Sequence, residues 1–258
     1  MPVCRLQALI LFLGLWASAV CAEGNPLPDT IAKIKPGIVA VGTYQRTRSP
    51  PAVFRGTGFA VADGTYVLTN AHVLPKVLDK AKFETLAVFF KSSGQDKLRG
   101  AKVAALDNSH DIALLKIGGS PLTALKLGDS SLVREGQRFA FTGFPIGMIL
   151  GLYPVTHEGI VSSITPIVIP TPKARNLDPK MLRRLQAPYS VFQLDATAYP
   201  GNSGSPLYNP ASGKVIGIIN KVFIKESKEN LLSKPSGISY AIPIQYAKRL
   251  LSQKGLNY

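Results

Sequence analysis

Phe54-Arg55-Gly56-Thr57-Gly58-Phe59-Ala60-Val61-Ala62-Asp63-Gly64-Thr65-Tyr66-Val67-Leu68-Thr69 is the stretch whose reading decides the class of fold. Strand-forming residues dominate 54–61 and 66–69, and Asp63-Gly64 between them is a strong turn signal, so a hairpin across Ala62-Asp63-Gly64 is expected. Gly56-Thr57-Gly58 in the first arm is not a dinucleotide fingerprint, since the third glycine is missing and no helix follows. Outward from this hairpin the pattern repeats. A buried strand is expected at 38–44, after a short helical turn near 30–34. Further strands are expected at 86–90, 102–106, 111–117, 137–144, 156–164 (broken at Gly159), 191–194, 215–222 and 237–242. A helix from about 243 to 251 closes the chain. Many short strands punctuated by glycine turns predict an all-β sandwich or barrel. No internal sequence repeat stands out. The divide near 120–136 separates parts of similar strand content, so two small barrels side by side are expected. They are an N-terminal β-barrel over 23–120, an inter-barrel linker over 121–136, and a C-terminal β-barrel with its helix over 137–258.

The two ends of the composition bound the partners. Residues 1–22 join Arg5 to an apolar run and a Val20-Cys21-Ala22 site, which reads as a signal peptide cleaved near Ala22. The apolar run is short for a retained membrane anchor, and Val20 is a poor neighbour for lipidation at Cys21. Cleavage removes Cys4 and Cys21, the 2 cysteines of the chain, and with them any thiol nucleophile, disulfide or thiolate metal site. The chain has 258 residues, with 30 Lys and Arg against 15 Asp and Glu, a net charge of +15. That balance favours acidic polypeptides or an anionic envelope surface as partners. Nucleic acid is not expected, because no basic stretch is interleaved with aromatic residues. The basic charge is dense in a proline-rich insertion at 165–190, with Lys173, Arg175, Lys180, Arg183 and Arg184 against Asp178.

Chemistry concentrates in Asp195-Ala196-Thr197-Ala198-Tyr199-Pro200-Gly201-Asn202-Ser203-Gly204-Ser205-Pro206-Leu207. Glycines flanking Ser203 allow a tight turn, in which the Gly201 and Ser203 amides hold an oxyanion while the hydroxyl attacks a carbonyl; Asn202 lies inside the same turn. A plain Gly/Ser/Asn turn between strands is the alternative. A serine nucleophile needs a base that titrates near neutrality, and the chain has 3 histidines, His72, His110 and His157. His72 ends a strand in a Thr-Asn-Ala-His-Val context, where a loop can expose the ring. His110, in the Asp107-Asn108-Ser109-His110-Asp111 turn, is the second candidate. Asp111 opens an apolar strand, Ile112 to Ile117, where a carboxylate is expensive unless hydrogen-bonded. It serves either to orient the base or to cap the turn. No His-Glu-x-x-His pattern is present, so no metal and no cofactor are expected.

Thr69-Asn70-Ala71-His72-Val73, Asp111-Ile112-Ala113-Leu114-Leu115-Lys116 and Gly201-Asn202-Ser203-Gly204-Ser205-Pro206 occur in that order. Together they resemble the three catalytic blocks of the trypsin-like serine endopeptidases, and within that family the bacterial HtrA (DegP/DegS-like) branch. Gly56-Thr57-Gly58-Phe59, Gly159-Ile160-Val161-Ser162, Gly217-Ile218-Ile219-Asn220 and Gly237-Ile238-Ser239-Tyr240-Ala241-Ile242-Pro243 extend the resemblance over roughly residues 36–254.

The resemblance implies a pair of six-stranded antiparallel β-barrels with a cleft between them, and peptide-bond hydrolysis through an acyl-enzyme on Ser203. His72 would be the base and Asp111 its orienting acid. By family position Thr197 lies at the floor of the primary side-chain pocket, with Ile219, Asn220 and Lys221 along one wall. No carboxylate stands at that floor, so small or medium apolar side chains are expected there. Residues 220–222 would pair with an extended substrate as an added strand. Three features depart from the family: no PDZ domain follows the terminal helix, Ser205 stands where glycine is usual, and the 165–190 insertion is long. Two other readings stay open at this point. One is an inactive trypsin fold that captures peptides in a chaperone-like way. The other is a surface-binding protein acting through 165–190. The exported chain would reside in a bacterial periplasm or be secreted, and both a monomer and a trimer are compatible with the sequence.

Overall fold

A computed structural model describes residues 25–145, 151–166, 189–220 and 238–258. The expected hairpin forms with β2 (Ala52–Val61) and β3 (Tyr66–Asn70), which pair through Phe59↔Leu68, Ala60↔Val67 and Val61↔Tyr66. Its turn is fixed by left-handed Ala62 (φ 56°) and Gly64 (φ 80°), and the Asp63 carboxylate accepts the Thr65 amide at 2.9 Å. With β1 (Ile38–Tyr44), β4 (Thr85–Ser92), β5 (Gln95–Asp107) and β6 (Ile112–Ile117) it closes a barrel in the order β1-β2-β3-β6-β5-β4. The strands β7 (Arg138–Gly143), β8 (Val155–Pro166), β9 (Ser190–Asp195), β10 (Pro206–Tyr208), β11 (Val215–Asn220) and β12 (Ile238–Pro243) close a second, ordered β10-β11-β12-β9-β8-β7. Taken from their first strands, the two barrels have the same order. The topology is thus repeated although the sequence is not, because closure constrains strand alternation and register rather than residue identity.

Alternation along the strands divides the core into layers. Val39, Val41, Val67, Val88 and Leu115 pack within the first barrel, and Phe139, Phe141, Phe192, Leu194 and Ile219 within the second. The intervening residues Ile38, Ala40, Phe59, Leu68 and Leu114 join Tyr208, Ile218 and Ile242 in a layer shared by both. Strands buried on both faces read as continuous apolar runs, as Ile112-Ala113-Leu114-Leu115 does. The linker is stitched to both sides: Leu125 N–H donates to Ala60 O at 2.8 Å and Gly128 N–H to Val215 O at 2.7 Å. The terminal helices cross over. Helix α1 (Leu27–Ile34) lies on the second barrel, where Thr30 Oγ1 donates to Ala211 O at 3.4 Å. Helix α2 (Ile244–Gln253) reaches the first, its Tyr246 ring stacked on His110 at 4.0 Å.

Several boundaries differ from expectation. Gly159 does not break β8: it pairs with Phe139, and a Cβ there would lie 2.5 Å from Asp195 O, so close approach explains the glycine. The irregularity falls between Val161 and Ser163. Residues 165, 166, 189 and 190 belong to β8 and β9 or their margin, which narrows the insertion; residues 167–188 lie outside the described structure. Strand β5 begins earlier than expected because its exposed half, Gln95-Asp96-Lys97, carries no apolar alternation. Strand β10 was not expected, since three residues are too few to display a period. The signal-peptide reading of 1–22, and Lys221, Val222 and Gly237, also lie outside the described residues.

Candidate functional site

Strands β3 and β6 are neighbours, with Asn70 opposite Ile112, and this pairing brings His72 and Asp111 together. Beyond β3 the chain makes one 3-10 turn, Ala71–Val73, that lifts His72 off the sheet edge. Asp111 is not the first residue of a strand, as the sequence led us to expect. It takes a left-handed conformation (φ 57°) in the turn before β6, which a short polar side chain tolerates. Its carbonyl accepts Ala71 N–H at 3.1 Å and Asn70 Nδ2 at 3.1 Å. Its carboxylate accepts His72 N–H at 2.9 Å on Oδ1, and His72 Nδ1 at 2.6 Å and Asn220 Nδ2 at 2.7 Å on Oδ2. Burial pushes the Asp111 carboxyl up, but the His72 and Asn220 donors and the attraction of the imidazole outweigh it, and the net displacement is downward. With Nδ1–H directed at the carboxylate, Nε2 is the ring nitrogen left to accept a proton.

The serine turn is clamped from both barrels. Ser239 Oγ accepts Ala198 N–H at 2.8 Å and donates to Ala196 O at 2.6 Å, which holds the entry from β9. Gly204 N–H donates to Ile219 O and Ile219 N–H to Ser205 O, each at 2.9 Å. From β2, Thr57 N–H donates to Ser203 O at 2.8 Å and Thr57 Oγ1 to Gly201 O at 2.7 Å; the same hydroxyl accepts Phe144 N–H at 3.0 Å. Gly56 sits where the histidine and serine turns converge. A Cβ there would lie 2.6 Å from Val73 Cγ2 and 2.8 Å from Ser203 O, so any side chain would drive the turns apart. Left-handed conformations fall on Gly201 (φ 101°) and Gly204 (φ 90°), so Ser205 replaces a glycine without backbone strain.

Among the described residues, no acceptor takes the amides of Gly201 and Ser203. Those two donors are available to an anion, whereas the Asn202 amide is committed to Tyr199 O at 3.0 Å. Asn202 thus sits inside the turn between the two donors, and its side chain is fully buried.

Ile219 and Asn220 are both 0 % exposed. Ile219 packs in the second barrel, and Asn220 is drawn inward by Asp111 because a buried carboxylate needs donors. Thr197 is half-buried after β9, and Lys221 lies outside the described residues. A cavity of about 490 Å³ opens beside His72, where Leu74, Leu78, Leu86, Val103 and Leu106 share the lining with Arg55, Lys76 and Asn108. His110 has its own carboxylate, Asp107 Oδ2 at 2.6 Å from Nδ1, but its ring lies against Tyr189 and Tyr246. His157 stacks on Phe141 at 4.9 Å, and burial lowers its pKa. Sequence reasoning missed the clamping by Thr57 and the Asn220–Asp111 bond. The available signals were a hydroxyl between two glycines and a polar residue ending the apolar run Val215 to Ile219.

A family model for the trypsin-like peptidase domain matches residues 56–218. The chain is 32% identical to a probable periplasmic serine endoprotease, DegP-like, of Pseudomonas fluorescens, covering 96% of this chain and 53% of that protein. It is 31% identical to the protein of the same description from Pseudomonas savastanoi pv. phaseolicola, over 84% of this chain and 38% of the relative. It thus spans between about two fifths and one half of the length of these curated relatives. Among solved structures it resembles an HtrA-type protease, AlgW, solved with a tripeptide. The TM-score is 0.61 at 24% identity, over 88% of this chain and 62% of that one, a likeness of fold. With paired barrels, a carboxylate-held imidazole and a clamped serine turn already in place, the match places this chain in the trypsin-like peptidase family, among HtrA-type relatives.

Proposed function

We propose that the chain is an exported serine endopeptidase that hydrolyses peptide bonds with Ser203 as nucleophile, His72 as base and Asp111 as orienting carboxylate. The observation that carries the proposal is the 2.6 Å contact between His72 Nδ1 and Asp111 Oδ2, which leaves Nε2 to take a proton. In the reaction, Ser203 Oγ attacks the scissile carbonyl carbon and its proton passes to His72. The Gly201 and Ser203 amides receive the developing oxyanion, a contribution of about 3 kcal/mol per donor. His72 then gives its proton to the leaving amine, and water enters by the same route to release the acyl group from Ser203. The apolar side chains in the cavity beside His72 support a substrate with an aliphatic side chain near the scissile bond. The leader-like residues 1–22 and the periplasmic relatives support export, and the net charge of +15 favours acidic polypeptides and anionic envelope surfaces as partners.

A serine-directed phosphonate tests the reading directly. The expected result is one adduct, mapped to Ser203, that disappears in Ser203→Ala together with peptide hydrolysis. A folded wild-type chain that binds peptides yet takes no label overturns the peptidase reading in favour of a peptide-capturing module.

A further inference from the structure

Strand β2 is buried from Gly56 to Val61 and exposed at Arg55, the residue before the point where the histidine and serine turns converge. Arg55 is the only charged residue of the strand, and its side chain is anchored. Nε donates to Val73 O at 2.7 Å, one residue past His72. The guanidinium thus stands in the lining of the cavity of about 490 Å³ beside His72. A guanidinium has five N–H donors, and those on Nη1 and Nη2 take no acceptor among the described residues. No described carboxylate pairs with Arg55 or with Lys76, the other cation of the lining. Asp111 also lines the cavity, but its carboxylate is buried and already taken by His72 and Asn220. The same space offers open apolar surface, since Leu74 and Leu78 are half-buried and Val103 and Leu106 are each 47 % exposed.

We propose that Arg55 selects substrates with an Asp or Glu side chain within two residues of the scissile bond, an inference that rests on the peptidase reading and narrows its substrate class. An extended chain advances about 3.3 Å per residue, so a carboxylate that reaches a guanidinium bonded beside His72 belongs to a residue close to the bond His72 serves. The planar donors match a carboxylate two at a time, and an anchored guanidinium loses less rotamer freedom on pairing than a free one. A neutral aliphatic segment would cover the leucines and leave Arg55 without a counter-charge. An aliphatic side chain with an acidic neighbour satisfies both parts of the lining. The net charge of +15 draws acidic polypeptides to the whole surface, whereas Arg55 acts on single positions of the bound segment.

Kinetics of the full chain with internally quenched peptides test the assignment. The peptides share one aliphatic cleavage residue, are amidated and otherwise neutral, and carry Glu, Gln or Lys in turn at the other positions within two residues of the scissile bond. At one such position Glu should raise kcat/KM over Gln by about fivefold to tenfold, between the worth of an exposed ion pair and that of a hydrogen bond to a charged group. The preference should shrink as salt is raised. Arg55→Gln should abolish it, and Arg55→Glu should turn it toward Lys. A ratio of two substrates on one enzyme is unaffected by any loss of folded protein in the variants. Equal rates for Glu and Gln at every position overturn the proposal, and so does a Glu preference that survives Arg55→Gln. Phosphonate labelling keeps the two readings apart, because a labelled, active chain without the preference fails the Arg55 assignment alone. For a chain that takes no label and cuts nothing, fluorescence anisotropy of the same peptides, dye-labelled, reads the carboxylate site without catalysis. Tighter binding of Glu than of Gln, lost in Arg55→Gln, then supports the site, and equal binding overturns it.

Discussion

Asp111 concentrates the chemistry of the site at the scale of single residues. It is buried, left-handed and charged, three conditions that each carry a cost, and its carbonyl and carboxylate together take five hydrogen bonds. Four come from Asn70, Ala71 and His72, and the fifth, from Asn220, crosses from the second barrel. Residue type and context made His72, Asp111 and Ser203 candidates, and the family resemblance gave them their proposed roles. They were not enough for Asn220, because nothing in a chain tells which side chain at a strand end will meet a carboxylate 109 positions away. In the proposed peptidase, Asn220→Ala should lower kcat by about tenfold to a hundredfold with KM little changed, the worth of a donor to a buried charge. Asn220→Asp separates electrostatic positioning from packing. A carboxylate there keeps the size of the side chain but removes the donor to Asp111, so kcat should fall at least as far as in Asn220→Ala. Near wild-type activity in Asn220→Asp would assign Asn220 to packing alone.

Among the elements, β2 ties the serine turn to the start of the β7–β8 connection through Thr57, its one threonine. Thr57→Val keeps the shape and removes the hydroxyl that donates to Gly201 O and accepts Phe144 N–H. We expect kcat to fall about tenfold while the melting transition stays cooperative, as a steady-state assay beside a thermal melt would show. The connection between β1 and β2 is held by a different device. Arg48 donates to Glu84 Oε1 at 2.8 Å and to Thr43 Oγ1 at 3.1 Å, and Glu84 Oε2 accepts Asp79 N–H at 3.1 Å. The Thr43 hydroxyl, the Asp79 amide and Arg48 hold the Glu84 carboxyl down at about 2, against an ordinary value of 4.5. Between those limits the unfolded chain binds a proton that the folded chain refuses. The contribution is therefore complete above the ordinary value and is lost as pH falls toward 2. Thermal melts of Glu84→Gln across this range should show a lower midpoint than wild type at neutral pH and a smaller fall on acidification. The Asp-Gly turn of β2–β3 was legible because its chemistry is local. Strand β10 and the polar half of β5 were not, since pairing rather than periodicity makes them strands.

On the scale of the molecule, the barrels are fastened by the segments at their ends. Helix α1 lies on the second barrel and α2 reaches back to the first, so each half holds a piece of the other. Tyr246 is the clearest of these fastenings. It is 8 % exposed, stacked on His110 at an interplanar angle of 17° and set edge-on to Tyr189 at 5.2 Å. Tyr246→Ala should destabilise the protein by about 3 kcal/mol, the usual cost of deleting a buried aromatic ring. Denaturant unfolding followed by far-UV and near-UV circular dichroism should still give coincident transitions, because the rest of the apolar layer shared by the barrels, Ile38, Phe59, Leu68, Tyr208 and Ile218 among it, is left in place.

By itself the sequence determined the all-β class, the division into two barrels and the hairpin turn, and it put His72, Asp111 and Ser203 forward as candidates. Those features depend on residue type and on neighbours a few positions away, which a chain displays directly. The tertiary structure alone decided that Asn220 turns inward to Asp111, that Thr57 clamps the serine turn, and that a cavity lies beside His72. It also decided that the two barrels share one strand order without a shared sequence. Each of these is a contact between distant strands, set by how closed barrels bring their edges and turns together in three dimensions.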